Sequence, residues 1–270
     1  MNTYEQNMLD MLKRGRDEFG VLAVKAEFEA EGTRPDELLR LLEMTHRADL
    51  KVALKIGGCE AVSDLLAARL YGANYLIAPM LETPYALGKY VEARARTWGD
   101  DVSQADFLFN IETVTGLANL ADMAPIARQH LAGIVFGRVD FTLSRGLGRD
   151  HINTAQITQC VTRVADACRE HDLDLVVGGG ISAEAVDALR EVRAIRLDRI
   201  ETRKVVFDAA IVESARYQEA ISNAVGFELA WLENKRAYYS QIAQEDAKRI
   251  AMMRDRGAQA GNIGLATLAA

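Results

Sequence analysis

Two largely apolar runs of this chain each stop on a single acid. F-L-F-N-I ends at Glu112, and G-I-V-F-G-R-V ends at Asp140; turn or helix-start residues follow both at once. An acid at the end of a buried strand costs desolvation energy unless it is paired, hydrogen-bonded or bound to a metal. Two such acids on successive strand ends offer oxygen ligands to one hard divalent cation. Taken singly, each acid serves equally well to cap the next helix or to pair with an arginine. Taken together, Glu112 and Asp140 are expected to hold a metal.

Other chemistry-bearing residues fall at similar places. The pattern (L/I)-E-T occurs at Glu82, Glu112 and Glu201, and Glu27 and Glu29 end the first apolar run. Glu82 is expected to bind substrate. Lys55 ends K-V-A-L-K-I ahead of Gly57 and Gly58. A cation there holds a substrate carboxylate, forms a Schiff base if its pKa is depressed, or simply pairs with Glu27 or Glu82. Arg138 lies two residues before Asp140 and, in a strand, would share its face. It is a candidate for bidentate binding of an anionic substrate end, and Arg145 in its glycine-flanked loop is a weaker one. The run V-V-G-G-G-I-S resembles a phosphate cradle in which the amides of Gly179 and Gly180 receive an anion, or else only a tight strand-to-helix turn. The histidines at 46, 130, 151 and 171 fall within or beside helices; only His151 stands near the loop after Asp140.

These groups need a scaffold that collects strand ends. Apolar runs alternate with helical periodicity, giving strands at 21–28, 51–56, 74–78, 106–111, 133–139, 173–177 and 194–200. Helices are expected at 35–47, 60–71, 84–97, 114–129, 155–170 and 183–193. Thr83-Pro84 supplies a cap and a proline at the first helical position, and Asn153 with Gln156 makes a capping-box pattern. Strands alternating with helices imply parallel pairing through right-handed crossovers. A closed (β/α)8 barrel is expected over residues 1–207, with 205–207 as a weak eighth strand. The chain lacks a G-x-G-x-x-G after its first strand, which disfavours a doubly wound sheet. Residues 208–270 form a C-terminal helical extension that caps the barrel or packs on a neighbouring subunit. Its last segment, 257–270, is expected to be a mobile arm or lid.

Composition narrows the classes. With 49% apolar residues and a net charge of −7 over 270 residues, a large soluble core is affordable and neither nucleic acid nor an anionic membrane is expected as a partner. Three scattered cysteines suit neither a disulfide framework nor a zinc site, and no leader or spanning segment is evident. A cytoplasmic protein is expected.

Three segments in order, A-P-M-L-E-T, N-I-E-T and G-R-V-D-F-T-L-S-R-G, resemble the HpcH/HpaI aldolase and citrate lyase β-subunit family. The resemblance runs from about residue 21 to 208. It implies a phosphoenolpyruvate/pyruvate-binding (β/α)8 barrel and a pyruvate-enolate lyase. Glu112 and Asp140 would then ligate Mg²⁺ or Mn²⁺, backbone amides near Gly137 would hold the carboxylate of a 2-oxo acid, and Glu27 would match an acidic strand-end element. Two departures stand out. Lys55 replaces the arginine usual in the family, and the His–Asp pair that assists proton transfer in class II aldolases is missing. Lys55, Glu27 and Arg138 are therefore the candidates for catalysis. The expected activity is metal-dependent carbon–carbon cleavage or formation in a homo-oligomer joined through the C-terminal helices. Phosphate-ester chemistry on the same barrel, and a barrel that binds without turnover, are the alternatives.

Overall fold

Eight strands close into one barrel in the computed structural model, which describes residues 1–259. The chain opens with α1 (Thr3–Phe19), β1 (Val21–Glu27), α2 (Pro35–Arg47), β2 (Lys51–Lys55), α3 (Val62–Leu70), β3 (Tyr75–Ala78) and α4 (Pro84–Trp98). It continues through β4 (Asp106–Ile111), α5 (Val114–Ala118), α6 (Leu120–His130), β5 (Gly133–Gly137), α7 (Arg138–Ser144) and α8 (Ala155–Glu170). The last elements are β6 (Asp174–Gly178), α9 (Val186–Arg193), β7 (Arg199–Glu201), β8 (Val205–Asp208) and α10 (Tyr217–Gln259).

Strands β1 to β7 pair in parallel, as the alternation of elements predicts. β8 does not: it runs antiparallel to both β7 and β1. Only Thr202, Arg203 and Lys204 separate β7 from β8, too few residues for a helical crossover, so the chain turns back as a hairpin. The barrel still closes, and β8 ends at the opposite rim from β7.

Period-two alternation sorts the strand residues. Outward-facing side chains such as Leu54, Leu76, Phe109, Phe136 and Phe207 are fully buried under the helices. Inward, Ala23, Ala53, Tyr75, Leu108, Val135, Val176 and Val206 belong to one apolar cluster that fills the barrel. Two residues further along the same strands, the inward positions become Lys25, Lys55, Asn110, Gly137, Gly178 and Glu201. A plugged lower barrel and a polar upper mouth follow from that one change.

Several sequence expectations are revised. Helix α1 is an addition; its signal is the Asn2–Glu5 capping box, in which Asn2 Oδ1 accepts from Glu5 N at 2.9 Å. The stretch 114–129 is two helices, broken at Asn119, whose amide donates to the Glu82 carbonyl at 2.8 Å. Asn153 caps nothing: α8 starts after Thr154, and Asn153 Oδ1 accepts from Arg138 instead. Thr83 behaves as read, accepting from Ala86 N ahead of Pro84.

Helix α10 runs antiparallel along α1. Arg216 pairs with Glu18, Asn223 donates to the Met11 carbonyl, and Asn234 Oδ1 accepts from Asn2. Phe227 and Trp231 are buried by that packing, whereas residues 240–256 are exposed. Gly257 to Gln259 continue the helix; the rest of the segment expected to be a mobile arm lies outside the described residues. No helix among the described residues is long and apolar enough to cross a membrane.

Candidate active site

The polar upper layer lines a cavity of about 510 Å³ at the C-terminal ends of the strands, where barrels carry their functional groups. Lys25, Glu27, Lys55, Asn110, Glu112 and Glu201 contribute from below, Gly137 to Asp140 and Gly178 to Gly180 from the loops, and Val225 and Glu228 from α10.

Glu112 is only 2% exposed. Its Oε1 accepts from the Met80 amide at 2.9 Å and its Oε2 from Asn110 Nδ2 at 2.7 Å. Met80 reaches it from a left-handed backbone conformation, φ 53°, a strain of the kind that gathers at functional sites. Burial raises the Glu112 carboxyl above the ordinary range, and the nearby Asp140 charge adds to this. Lys55 and the two hydrogen bonds only partly offset the burial. Space for the carboxylate comes from Gly137: a Cβ there would stand 2.7 Å from Oε2.

Asp140 sits in the first turn of α7, exposed at the cavity edge. This corrects the sequence reading, in which the strand continued through Val139. β5 stops at Gly137, and the helix begins at once. Arg138 and Asp140 therefore do not share a strand face. The Arg138 guanidinium is buried and turned away from the mouth. Its Nε donates to Gly179 O at 3.1 Å, Nη2 to Gly180 O at 2.9 Å and Nη1 to Asn153 Oδ1 at 3.0 Å. Burial pushes its pKa down to about 10. Its task is to fix the glycine-rich turn.

Lys55 Nζ lies 3.3 Å from Glu29 Oε2 and 3.5 Å from Glu112 Oε2, rather than against Glu27 or Glu82. Burial works to lower its pKa, but Glu112 and Glu29 outweigh it and lift the ammonium above its ordinary value. That is the wrong direction for a Schiff-base lysine. Glu27 pairs with Lys25 at 3.2 Å. Burial works to raise its carboxyl, but Lys25 and Lys55 outweigh it and hold the group below its ordinary range.

Gly179 and Gly180 line the cavity with φ of 79° and 64°. A Cβ on Gly179 would meet Val139 N at 2.7 Å, so both conformation and close approach require glycine. Glu82 is not brought to the cavity. Its Oε1 accepts from Thr113 Oγ1 at 2.6 Å, at the start of α5. His151 is also off the cavity, 3.1 Å from Asp150.

Three lining residues escaped the sequence reading: Lys25, Asn110 and Arg149. For two of them the signal was present. Lys25 and Asn110 stand two residues before Glu27 and Glu112, and period two puts each on its partner's face.

The donor set fits a hard divalent ion. It is all oxygen, and Asn110 Oδ1, in a residue 4% exposed, has no partner. Among the described residues no group of three or more His, Cys, Asp or Glu gathers. Two carboxylates beside an open cavity suit Mg²⁺ or Mn²⁺, which keep waters and take substrate oxygens, better than a closed zinc cage.

Residues 37–218 match the family model described as HpcH/HpaI aldolase/citrate lyase. No curated protein matches the chain in sequence. Among solved structures, an HpcH/HpaI aldolase from Desulfitobacterium hafniense DCB-2 superposes with a TM-score of 0.59 at 11% identity, covering 82% of this chain and 89% of that one. An HpcH/HpaI aldolase/citrate lyase family protein from Burkholderia cenocepacia J2315 gives 0.55 at 15% identity, covering 87% and 99%. At such identities these two likenesses speak for the fold alone.

Proposed function

This chain belongs to the HpcH/HpaI aldolase/citrate lyase family, and from that premise we propose that it is a metal-dependent carbon–carbon lyase acting on a pyruvate-like 2-oxo acid. Family membership supports a lyase-type activity in general. The observation that carries the finer reading is the buried Glu112, cradled by Gly137 and facing the same cavity as Asp140.

Glu112 and Asp140 would hold Mg²⁺ or Mn²⁺ together with waters and the 2-oxo acid, and the ion, when bound, supplies the Lewis acid that polarises the 2-oxo group. The protein's own groups then have distinct tasks. Asn110 and the Met80 amide fix the Glu112 carboxylate in one orientation. Lys55, kept protonated between two acids, is placed to attract the substrate carboxylate and to limit charge build-up as an enolate forms. The first-turn amides of α7 lack intrahelical acceptors and face the same end of the substrate. Arg138 holds the turn at Gly179 and Gly180 rigid beside them.

The residues of α10 beyond Tyr239 bury nothing in their own chain, although Ile242, Ile250, Met252 and Met253 are apolar. We propose that they meet a second copy, which sedimentation of the full chain against one ending at residue 240 tests.

Oxaloacetate tests the catalytic reading. The purified protein is expected to decarboxylate it and to exchange pyruvate methyl protons with solvent, both only with Mg²⁺ or Mn²⁺. Glu112→Gln and Asp140→Asn are each expected to abolish both. Turnover that ignores chelator would sink the proposal.

A further inference from the structure

The missing histidine–aspartate pair leaves the proton of a lyase reaction without a carrier, and the barrel offers another group for it. Ile111 is paired with Phe136, which brings the next residues, Glu112 and Gly137, side by side; Gly137 is paired with Gly178, and Gly178 with Glu201. Four adjacent strands, β4 to β7, thus present acid, glycine, glycine, acid at one level. Both glycines yield their space to the neighbouring acid. A Cβ on Gly178 would stand 2.9 Å from Glu201 Oε1 and 2.9 Å from its Cγ, as one on Gly137 would crowd Glu112. The result is a bare backbone floor with a buried carboxylate at each end.

Glu201 is 6% exposed. Its Oε1 is fixed by Lys25 Nζ at 2.6 Å, and Lys25 is itself held by Glu27 at 3.2 Å. Its Oε2 is buried in the cavity wall without a hydrogen-bond partner. One anchored oxygen and one free oxygen is the arrangement that a general base needs. The other lining groups are committed. Lys55 and Lys25 are ammonium groups inside ion pairs, Glu29 faces Lys55 at 3.3 Å, and Glu228 Oε1 accepts from Thr202 and from the Lys204 amide. No histidine lines the cavity.

We propose that Glu201 is the proton-transfer residue of the reaction, a role that rests on the lyase reading above. In cleavage of a 4-hydroxy-2-oxo acid, Oε2 takes the proton of the 4-hydroxyl. The O–H electron pair becomes the second bond of the leaving aldehyde's carbonyl, and the C3–C4 pair passes into the enolate of the pyruvate fragment. The same proton then moves from Glu201 to C3, which forms the methyl group of pyruvate and restores the carboxylate. Lys25 is a positioning residue: it touches no reacting atom and keeps Oε1 from competing.

Glu201→Gln tests this, because the amide keeps its size and can still accept from Lys25 through Oε1. Three readouts on Mn²⁺-loaded protein separate the roles. Exchange of pyruvate methyl protons in D₂O, followed by proton NMR, needs a base. Decarboxylation of oxaloacetate needs none, because carbon dioxide leaves without any proton being removed. Calorimetric binding of oxalate reports the metal site without turnover. The expected result is methyl exchange slowed by about 100-fold or more, with oxaloacetate loss and oxalate affinity held within about 3-fold of the parent, an allowance of about 0.65 kcal/mol. Undiminished exchange in the variant would overturn the proposal while the lyase reading stood. Equal loss of all three readouts would overturn it too, by showing a structural role. A parent protein that performs none of the three would instead defeat the lyase reading itself.

Discussion

Glu112 and Gly137 occupy one space between them: a Cβ at 137 would lie 2.7 Å from Glu112 Oε2 and 2.9 Å from its Cβ. The end of β5 is therefore shaped by a carboxylate on β4. Gly137→Ala should force Glu112 off its Met80 and Asn110 donors. Overpacking of this kind costs about 1–3 kcal/mol. Expressed at the site, that is a loss of Mn²⁺ affinity between about 5-fold and 150-fold. Titration calorimetry on the variant checks it, and an unchanged affinity would show that the glycine has no part in placing the acid.

Lys55 is the neutralising partner of the buried Glu112 and of Glu29. Removing one member of a buried pair costs about 3–5 kcal/mol, because the other charge is left uncompensated. Lys55→Met should therefore melt well below the parent in chelator, and saturating Mn²⁺ should restore much of the difference by neutralising Glu112. Equal melting of the two proteins in chelator would contradict this.

The raised Glu112 carboxyl carries a pH signature. Its folded pKa lies above that of an unfolded glutamate, for which about 4.3 is usual. Between those two values the folded chain holds a proton that the unfolded chain has lost, so stability falls as pH rises through this window. Above the folded pKa the penalty is fully present. In chelator, the melting-temperature difference between Glu112→Gln and the parent should grow in the variant's favour as pH rises from 4 through this window. A difference that stays flat, or shrinks, would show that burial does not dominate at this group.

Arg138 ties down two carbonyls of the glycine-rich turn and Asn153. Arg138→Met removes a buried charge but strands those acceptors, at about 1–3 kcal/mol for each that finds no partner. With three acceptors affected, the loss should prevail and the variant should be destabilised; hydrogen exchange should quicken at 179–181 first. A variant as stable as the parent, with unchanged exchange there, would mean that water serves the turn equally well.

How much of this was legible in the sequence differs from element to element. Strand periodicity exposed the barrel, because apolar runs such as 74–78 and 106–111 have no other use in a chain of this pattern. The same periodicity overran at 133–139, where Arg138 and Val139 read as strand but the chain already turns into α7. The hairpin between β7 and β8 was hidden for a different reason: three residues at Thr202 to Lys204 carry no strong turn chemistry, and tertiary closure decides the direction of β8. Glu112 and Asp140 stood out because acids end apolar runs. Lys25 and Asn110 did not, since a polar residue inside a strand reads as an interruption until its inward face is known. The match between Gly178 and Glu201 needs the strand register, which no single segment contains.

The central claim is that Glu112 and Asp140 together hold one divalent ion for a 2-oxo acid. Calorimetric titration of the chelator-treated protein with Mn²⁺, with and without oxalate, tests it most directly. The expected result is one ion per chain, bound more tightly with oxalate, with Glu112→Gln and Asp140→Asn each weakening the affinity by about 100-fold or more as ligand charge is lost. A protein that takes up no Mn²⁺ in either condition, or variants that bind it as the parent does, would contradict the claim.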